Sequence, residues 1–320
     1  MSHPPLTRTT GTGQVIKAHS GFFTVINRDG SQVICRAAGR LTKLKHTQDA
    51  LAIGDFVRYE LVYSEGYAEG RIIEVLPRGR VLARKDPIIA TKEQEIQQVI
   101  IANLDLVVFV FACAEPAFTP RLLDRYLVGA EAQQLPVLIC ANKTDIISSE
   151  EARRLFRDYE HIGYPVIYTS AATGEGVDTL QAALHGKLSV LTGKSGVGKS
   201  SLLNRLKPGL DAEVGALSEL LGKGRHTTVV PQLFQLDSDS WIADTPGLRA
   251  YAVWDVEAEE LDAYYREIAP LVGRCDFSDC THLHEPGCEV KRQVETGHIS
   301  AARYDSYRRL RKELSRQRKW

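Results

Sequence analysis

From Gln14 to Leu76 the apolar positions fall in short β-rich runs broken by Gly and Asp, with no helical period. Phe22 to Asn27 and Gln32 to Arg36 flank an Asp29-Gly30 step, a strong short-range hairpin signal. Phe56 to Val62 and Arg71 to Leu76 predict further strands, so the segment predicts a small antiparallel barrel of the OB-fold type. Residues 1–10 read as a polar tail.

The pattern then changes. Apolar runs at Leu106 to Phe111, Val137 to Cys140, Val166 to Thr169, Leu188 to Leu191 and Trp241 to Ala243 alternate with helical segments. One helix starts with Thr119 as N-cap and Pro120 in the first turn, and carries Leu122, Leu123, Tyr126, Leu127 and Ala130 on one face. Another opens on Ser148 and Glu151 at capping-box spacing. Strands alternating with helices predict a largely parallel, doubly wound α/β sheet. From Val256 onward the chain reads as helical, then Cys/His-rich, then helical and basic.

Composition narrows the function classes. The 320 residues hold 40 Lys and Arg against 40 Asp and Glu, a zero net charge that hides a basic end. Arg303 to Trp320 carries eight Arg and Lys against Asp305 and Glu313. The apolar run Leu104 to Ala112 contains Asp105 and is too short to span a bilayer, and Met1 to Pro5 lacks signal-peptide character. Cys35, Cys113 and Cys140 lie in strand-like runs, and only Cys275, Cys280 and Cys288 cluster. The expectation is a reduced, cytoplasmic protein with a metal site and no membrane partner.

Gly193-Lys194-Ser195-Gly196-Val197-Gly198-Lys199-Ser200 satisfies the G-x-x-x-x-G-K-S phosphate loop in full, and Ser201 continues it. A strand run precedes it and Leu202, Leu203 and Leu206 begin a helix, so backbone N–H groups and a helix N-terminus meet the phosphates. Lys199 is expected at the β- and γ-phosphates and Ser200 on Mg²⁺. Asn142-Lys143-Thr144-Asp145 follows a strand and has the N-K-x-D form of a guanine reader. A carboxylate there accepts from the N1–H and exocyclic amine of guanine, whereas adenine leaves it unpaired. Ser170-Ala171 resembles the backbone element beside the guanine carbonyl, and Asp244-Thr245-Pro246-Gly247 resembles the D-x-x-G switch.

The order of these motifs is informative. The guanine reader comes first, then Ser170, then the phosphate loop, then Asp244, so the GTPase domain is circularly permuted, with the old termini joined within Thr179 to Lys187. Only 27 residues separate Gly247 from Cys275, which places the switch directly before the last region. Between the phosphate loop and Asp244, Thr227 or Thr228 can complete Mg²⁺ coordination, and the set carried forward is Ser200, Thr228 and Asp244. Leu248 stands where Ras-like proteins hold a water-orienting Gln, which leaves His226 as the catalytic candidate.

Cys275-x4-Cys280-x-His282-x5-Cys288 offers three thiolates and an imidazole, the donor set of a closed structural zinc site. His284 competes with His282 on spacing alone.

Taken together, the motif order, the Gly-x-His-Thr-Thr loop and the Cys3His loop resemble the bacterial ribosome small-subunit-dependent GTPase A family. The likeness runs from about Gly11 to the C-terminus, and Val229 departs from a third Thr common there. The resemblance implies a tail (1–10), an OB-fold RNA-binding barrel (11–80), a circularly permuted GTPase domain (81–255) and a helical zinc-binding domain with a basic end (256–320). It favours His282 over His284 as ligand and His226 as catalytic group. It also implies one structural Zn²⁺ per chain, Mg²⁺ with GTP, and a monomer acting late in small-subunit maturation with subunit-stimulated hydrolysis. The small ribosomal subunit and its ribosomal RNA are the expected partners. Two readings from other classes compete: an RNA-binding scaffold without turnover, and an ATP-using P-loop kinase, which Asp145 disfavours.

Overall fold

The computed structural model describes residues 8–42, 50–64, 67–85, 97–209, 232–244 and 256–317. The strands are β1 (Arg8–His19), β2 (Phe22–Ile26), β3 (Gln32–Ala37), β4 (Phe56–Ser64), β5 (Tyr67–Val75), β6 (Val81–Lys85) and β7 (Gln97–Ala102). They continue as β8 (Leu106–Ala112), β9 (Val137–Asn142), β10 (Val166–Thr169), β11 (Leu188–Thr192), β12 (Gln232–Gln235) and β13 (Trp241–Asp244). The helices are α1 (Gly39–Thr42), α2 (Pro120–Ala132), α3 (Ser149–His161), α4 (Val177–Leu184), α5 (Lys199–Leu206), α6 (Glu289–Glu295) and α7 (Ala301–Gln317). The chain divides into two compact units: Met1–Leu106 with Ala183–Leu191 and Leu206–Leu248, and Val107–Ala182 with Thr192–Arg205 and Arg249–Trp320.

In the first unit, strands in the order β1-β2-β3-β5-β4 close on themselves through β1–β4 pairing, the five-stranded barrel expected from the sequence. Its core is Val15, Val25, Cys35, Val57, Tyr59 and Ile72, contributed by alternate positions of the strands. The hairpin at Asp29-Gly30 is present, pairing Phe22 with Arg36 and Ile26 with Gln32. Strand β1 begins at Arg8 and pairs Thr9 with Leu61, so residues 8–10 are barrel and not tail. The β6–β7 hairpin was not expected: Gln97 and Gln98 break the apolar run that would have announced it. Asp55, fully buried, takes two hydrogen bonds from Arg78 and one from the Ala52 amide. Strand β13 runs parallel to β11 with Ala243 level with Val190, so Asp244 leaves the sheet at the same end as β11.

In the second unit β8, β9 and β10 are parallel neighbours. Every residue of β8 and β9 is buried, as strands covered on both faces require. Helix α2 buries Leu123, Tyr126, Leu127 and Ala130, and Tyr126 packs on Phe109 and Phe111. Thr119 stands at its N-cap but does not cap it; its hydroxyl donates to the Ala117 carbonyl instead. Ser148 and Glu151 form the reciprocal capping box at the start of α3.

The last region is less helical at its start than its sequence suggests. Leu261–Tyr264 and Ala269–Leu271 are short 3-10 turns, the second with Pro270 near its start and the left-handed Gly273 just beyond it. Helix α7 covers them with Tyr307, Leu310 and Leu314 in a core shared with Leu261, Tyr265 and Ile268. Two of the expected basic residues are structural and not surface groups. Arg303 is buried between Asp124 of α2 and Glu267, and Arg311 is buried with a hydrogen bond to the Tyr307 hydroxyl. Arg309, Lys312 and Arg316 are exposed, and Arg308 lies over the Tyr304 ring. No helix among the described residues is long and apolar enough to cross a membrane.

Candidate nucleotide and metal sites

The residues expected to read guanine and hold phosphate meet within the second unit. After β9, Lys143 takes a left-handed conformation that turns the chain into a short 3-10 segment carrying Thr144 and Asp145. Fully buried Asn142 ties three loops together. Its Nδ2 donates to the Val197 carbonyl at 2.8 Å, and its Oδ1 accepts from the Thr169 hydroxyl at 3.1 Å and the Ala171 amide at 3.2 Å. Buried Ser170 donates from Oγ to Asp145 Oδ1 at 2.6 Å, which orients the exposed carboxylate. Lys143 Nζ donates to the Glu115 carbonyl.

The phosphate loop is shaped by close approaches that only glycine permits. A Cβ on Gly193 would stand 2.2 Å from the Val110 carbonyl oxygen, and one on Gly198 2.3 Å from Asn142 Nδ2. Lys199 Nζ bridges the Gly193 and Lys194 carbonyls at 2.8 and 2.9 Å, so the ammonium is folded over the loop. Ser200 and Ser201 are exposed at the N-terminus of α5, Val197 is buried, and Lys194, Ser195 and Gly196 form the outer rim. Backbone N–H groups at the start of a helix, with an ammonium beside them, are an anion site by construction. Asp244 ends β13. Thr227, Thr228, His226 and Gly247 lie outside the described residues.

Cys275, Cys280, His282 and Cys288 present one donor atom each, all within 4.8 Å of one another. His282 is buried beside the three sulfurs and His284 is exposed. His282 Nδ1 lies 3.5 Å from Cys275 Sγ and 3.4 Å from Cys288 Sγ, and those two sulfurs are 3.9 Å apart. Zn–S bonds of about 2.3 Å and Zn–N bonds of about 2.0 Å give tetrahedral edges of roughly 3.5–3.8 Å, so Cys275, His282 and Cys288 stand near zinc-ligand spacing, and Cys280 lies within 4.8 Å of them. His282 Nε2 faces the Asp262 carboxylate at 3.4 Å, close enough for charge attraction but without hydrogen-bond geometry. Gly287 is left-handed, and a Cβ there would strike Asp276 Oδ2 at 1.9 Å. The strand cysteines are a contrast: burial pushes the Cys35 and Cys140 thiols up to about 12, leaving them protonated and inert.

The family model described as RsgA GTPase matches residues 75–254, and that of the RsgA N-terminal domain matches 12–68. The chain belongs to the RsgA GTPase family. A Gemmatimonas aurantiaca protein named small ribosomal subunit biogenesis GTPase RsgA is 42% identical over 308 residues, 96% of this chain and 98% of that one. A Bacillus pumilus protein of the same name is 38% identical, with 92% and 94% covered. Among solved structures, YjeQ from Thermotoga maritima superposes with a TM-score of 0.76 at 32% identity, covering 96% of this chain and 99% of that one. YloQ, described as a circularly permuted GTPase, gives 0.71 at 29% identity, covering 97% and 96%. This member of the RsgA GTPase family is therefore a GTP-hydrolysing P-loop enzyme with the permuted order read from its motifs.

Three residues of this RsgA-family chain escaped the sequence reading. Glu285 organises the metal loop, accepting from the Thr281, Leu283 and His284 amides and the Thr281 hydroxyl. Burial raises its pKa, but the Thr281 hydroxyl and these amides outweigh it and hold the carboxyl well below the usual range. Its place inside the Cys/His run was the available signal. Asp262 and Arg205 carried none, because both act across the fold.

Proposed function

We propose that the protein binds the small ribosomal subunit in its GTP state, acts late in subunit maturation, and leaves after subunit-stimulated hydrolysis to GDP and phosphate. The observation that carries this reading is the joined guanine and phosphate constellation, centred on Asn142, in a chain whose relatives are named small ribosomal subunit biogenesis GTPases.

In this reading Asp145 accepts from guanine N1–H and the exocyclic amine, Ser170 and Ala171 close the base edge, and the Lys143 stem packs on the ring. Gly193 to Ser201 wrap the phosphates, Lys199 unfolds from its carbonyls onto the β- and γ-phosphates, and Thr144 stays a loop contact. Ser200, Thr228 and Asp244 would hold Mg²⁺, which offsets phosphate charge. His226 positions or deprotonates water, and the Gly247 amide senses the γ-phosphate. One Zn²⁺ on Cys275, Cys280, His282 and Cys288 is structural, since four protein donors leave no open position.

Our division has a barrel at 11–80, which β1 extends back to Arg8, a permuted GTPase domain at 81–255 and a metal domain at 256–320, supported by the family-model ranges 12–68 and 75–254. Ribosomal RNA contacts are assigned to a basic stretch of the barrel, Arg36 in β3, Arg40 in α1 and Lys43 and Lys45 after it, and to Arg308, Arg309, Lys312 and Arg316 of α7. Lys43, Lys45, Arg318 and Lys319 lie outside the described residues. A cytoplasmic monomer is the expected form. Sedimentation with small subunits, using a non-hydrolysable GTP analogue and GDP at several salt concentrations, tests the docking. GTP-state binding that falls steeply with salt is the expected result; equal binding in both states rejects the switch.

A further inference from the structure

Arg205 lies in the last turn of α5, the helix that grows out of the phosphate loop. Its guanidinium reaches out of that helix to the loop after β10: Nε donates to the Ala171 carbonyl at 2.8 Å and Nη2 to the Ala172 carbonyl at 2.5 Å. The same loop carries Ser170, whose hydroxyl donates to Asp145 Oδ1 at 2.6 Å and accepts from the Thr173 amide at 3.1 Å. The Ser170 carbonyl accepts from Gly174 at 2.8 Å and its amide donates to the Glu175 carbonyl at 2.9 Å. The loop is thus a tight knot with one long-range side-chain fastening to α5, and Arg205 supplies it.

We propose that Arg205 is a positioning residue for guanine selection: by pinning the Ala171 and Ala172 carbonyls to α5, it holds Ser170 where it orients the Asp145 carboxylate. The physical reason lies in what Asp145 must do. Reading two adjacent donors of guanine needs both carboxylate oxygens in the plane of the base, and Asp145 is itself exposed at the site. Ser170 Oγ fixes one oxygen, and Ser170 is only as still as its loop. A planar guanidinium donating to two successive carbonyls restrains both translation and rotation of that loop, which a single-point contact cannot do. Because α5 also begins at Lys199, the fastening ties base reading to the phosphate loop through one rigid helix. Asn142 makes the complementary tie from the other side, to Val197.

This inference rests on the assignment of Asp145 to the base, and its test separates the two. Equilibrium binding of GTP, ITP and ATP is measured on the full-length parent, Arg205→Ala and Arg205→Lys. ITP keeps N1–H and the carbonyl but lacks the exocyclic amine, so the GTP to ITP ratio reports how well Asp145 reads both donors. The parent prefers GTP over ATP; equal affinities there would remove the base assignment and this inference with it. In Arg205→Ala, GTP affinity falls about five- to tenfold, as loss of charge-assisted bonds at an exposed site implies. The GTP to ITP ratio narrows about threefold or more, and ATP binding is unchanged. Arg205→Lys, able to hold one carbonyl at a time, falls between. A variant that loses GTP and ITP equally, or neither, while the parent still prefers GTP, overturns the positioning role alone.

Discussion

Replacing Arg303 by methionine removes the cation from between Asp124 and Glu267 while keeping most of the side-chain volume. The three side chains are 3%, 1% and 6% exposed, so neither carboxylate can turn to water. In the parent, Arg303 donates to Asp124 from Nη1 and to both Glu267 oxygens at 2.8 and 3.1 Å, over the Tyr265 ring. Tyr159 adds a 2.8 Å hydrogen bond to Asp124. Burial lowers the Arg303 pKa, but Asp124 and Glu267 outweigh it and hold the guanidinium protonated. Burial raises the Asp124 pKa, and Arg303 with the Ser306 and Tyr159 hydrogen bonds pulls it back only in part. Stranding a buried charge costs about 3–5 kcal/mol, and protonation of Asp124 limits the loss.

The pH dependence has a definite sign. Without Arg303 the folded-state Asp124 pKa rises further above the unfolded value of about 3.9, so the native state binds more protons than the unfolded one. The variant's deficit is therefore smallest near that value and grows as pH rises toward the folded pKa. Urea unfolding of zinc-loaded parent and Arg303→Met at pH 5 and pH 8 measures both quantities. The expected deficit is several kcal/mol at pH 8 and smaller at pH 5, and adding Asp124→Asn recovers part of it. A deficit below about 1 kcal/mol, typical of an exposed pair, or one independent of pH, would refute the reasoning.

Asp145→Asn exchanges acceptor for donor and is expected to shift preference from GTP toward XTP in competition binding. Cys280→Ala, or prolonged chelation, releases the one zinc measured by metal analysis and loosens the 256–320 region, while GDP binding by the guanine and phosphate loops persists. His226→Ala binds GTP nearly as the parent does but turns over about 10²- to 10⁴-fold more slowly with subunits, the usual contribution of a positioned acid–base group; unchanged stimulated turnover moves that role elsewhere.

What could be read from the sequence was what depends on neighbours in the chain. The Gly193–Ser200 loop, the Asn142–Asp145 tetrapeptide and the Asp29-Gly30 hairpin are local, because backbone conformation and side-chain chemistry coincide within a few residues. Their order exposed the permutation with no three-dimensional information. Long-range fastenings stayed hidden: Arg303 and Arg311 looked like members of a basic tail until α7 packed on α2 and the 3-10 turns. Arg205 looked like any polar helix residue. Thr119 has the right residue type for an N-cap, yet its hydroxyl satisfies the Ala117 carbonyl, a competition that sequence cannot arbitrate. The resemblance favours His282 over His284, and folding adds the burial of His282 beside the three sulfurs, which its immediate neighbours in the chain do not announce.

The central claim is tested most directly by measuring GTP hydrolysis with and without purified small ribosomal subunits, with large subunits as control. Slow intrinsic turnover raised strongly by small subunits alone, and absent with ATP, is the result the account predicts. Turnover indifferent to small subunits, or equal with ATP, would contradict it.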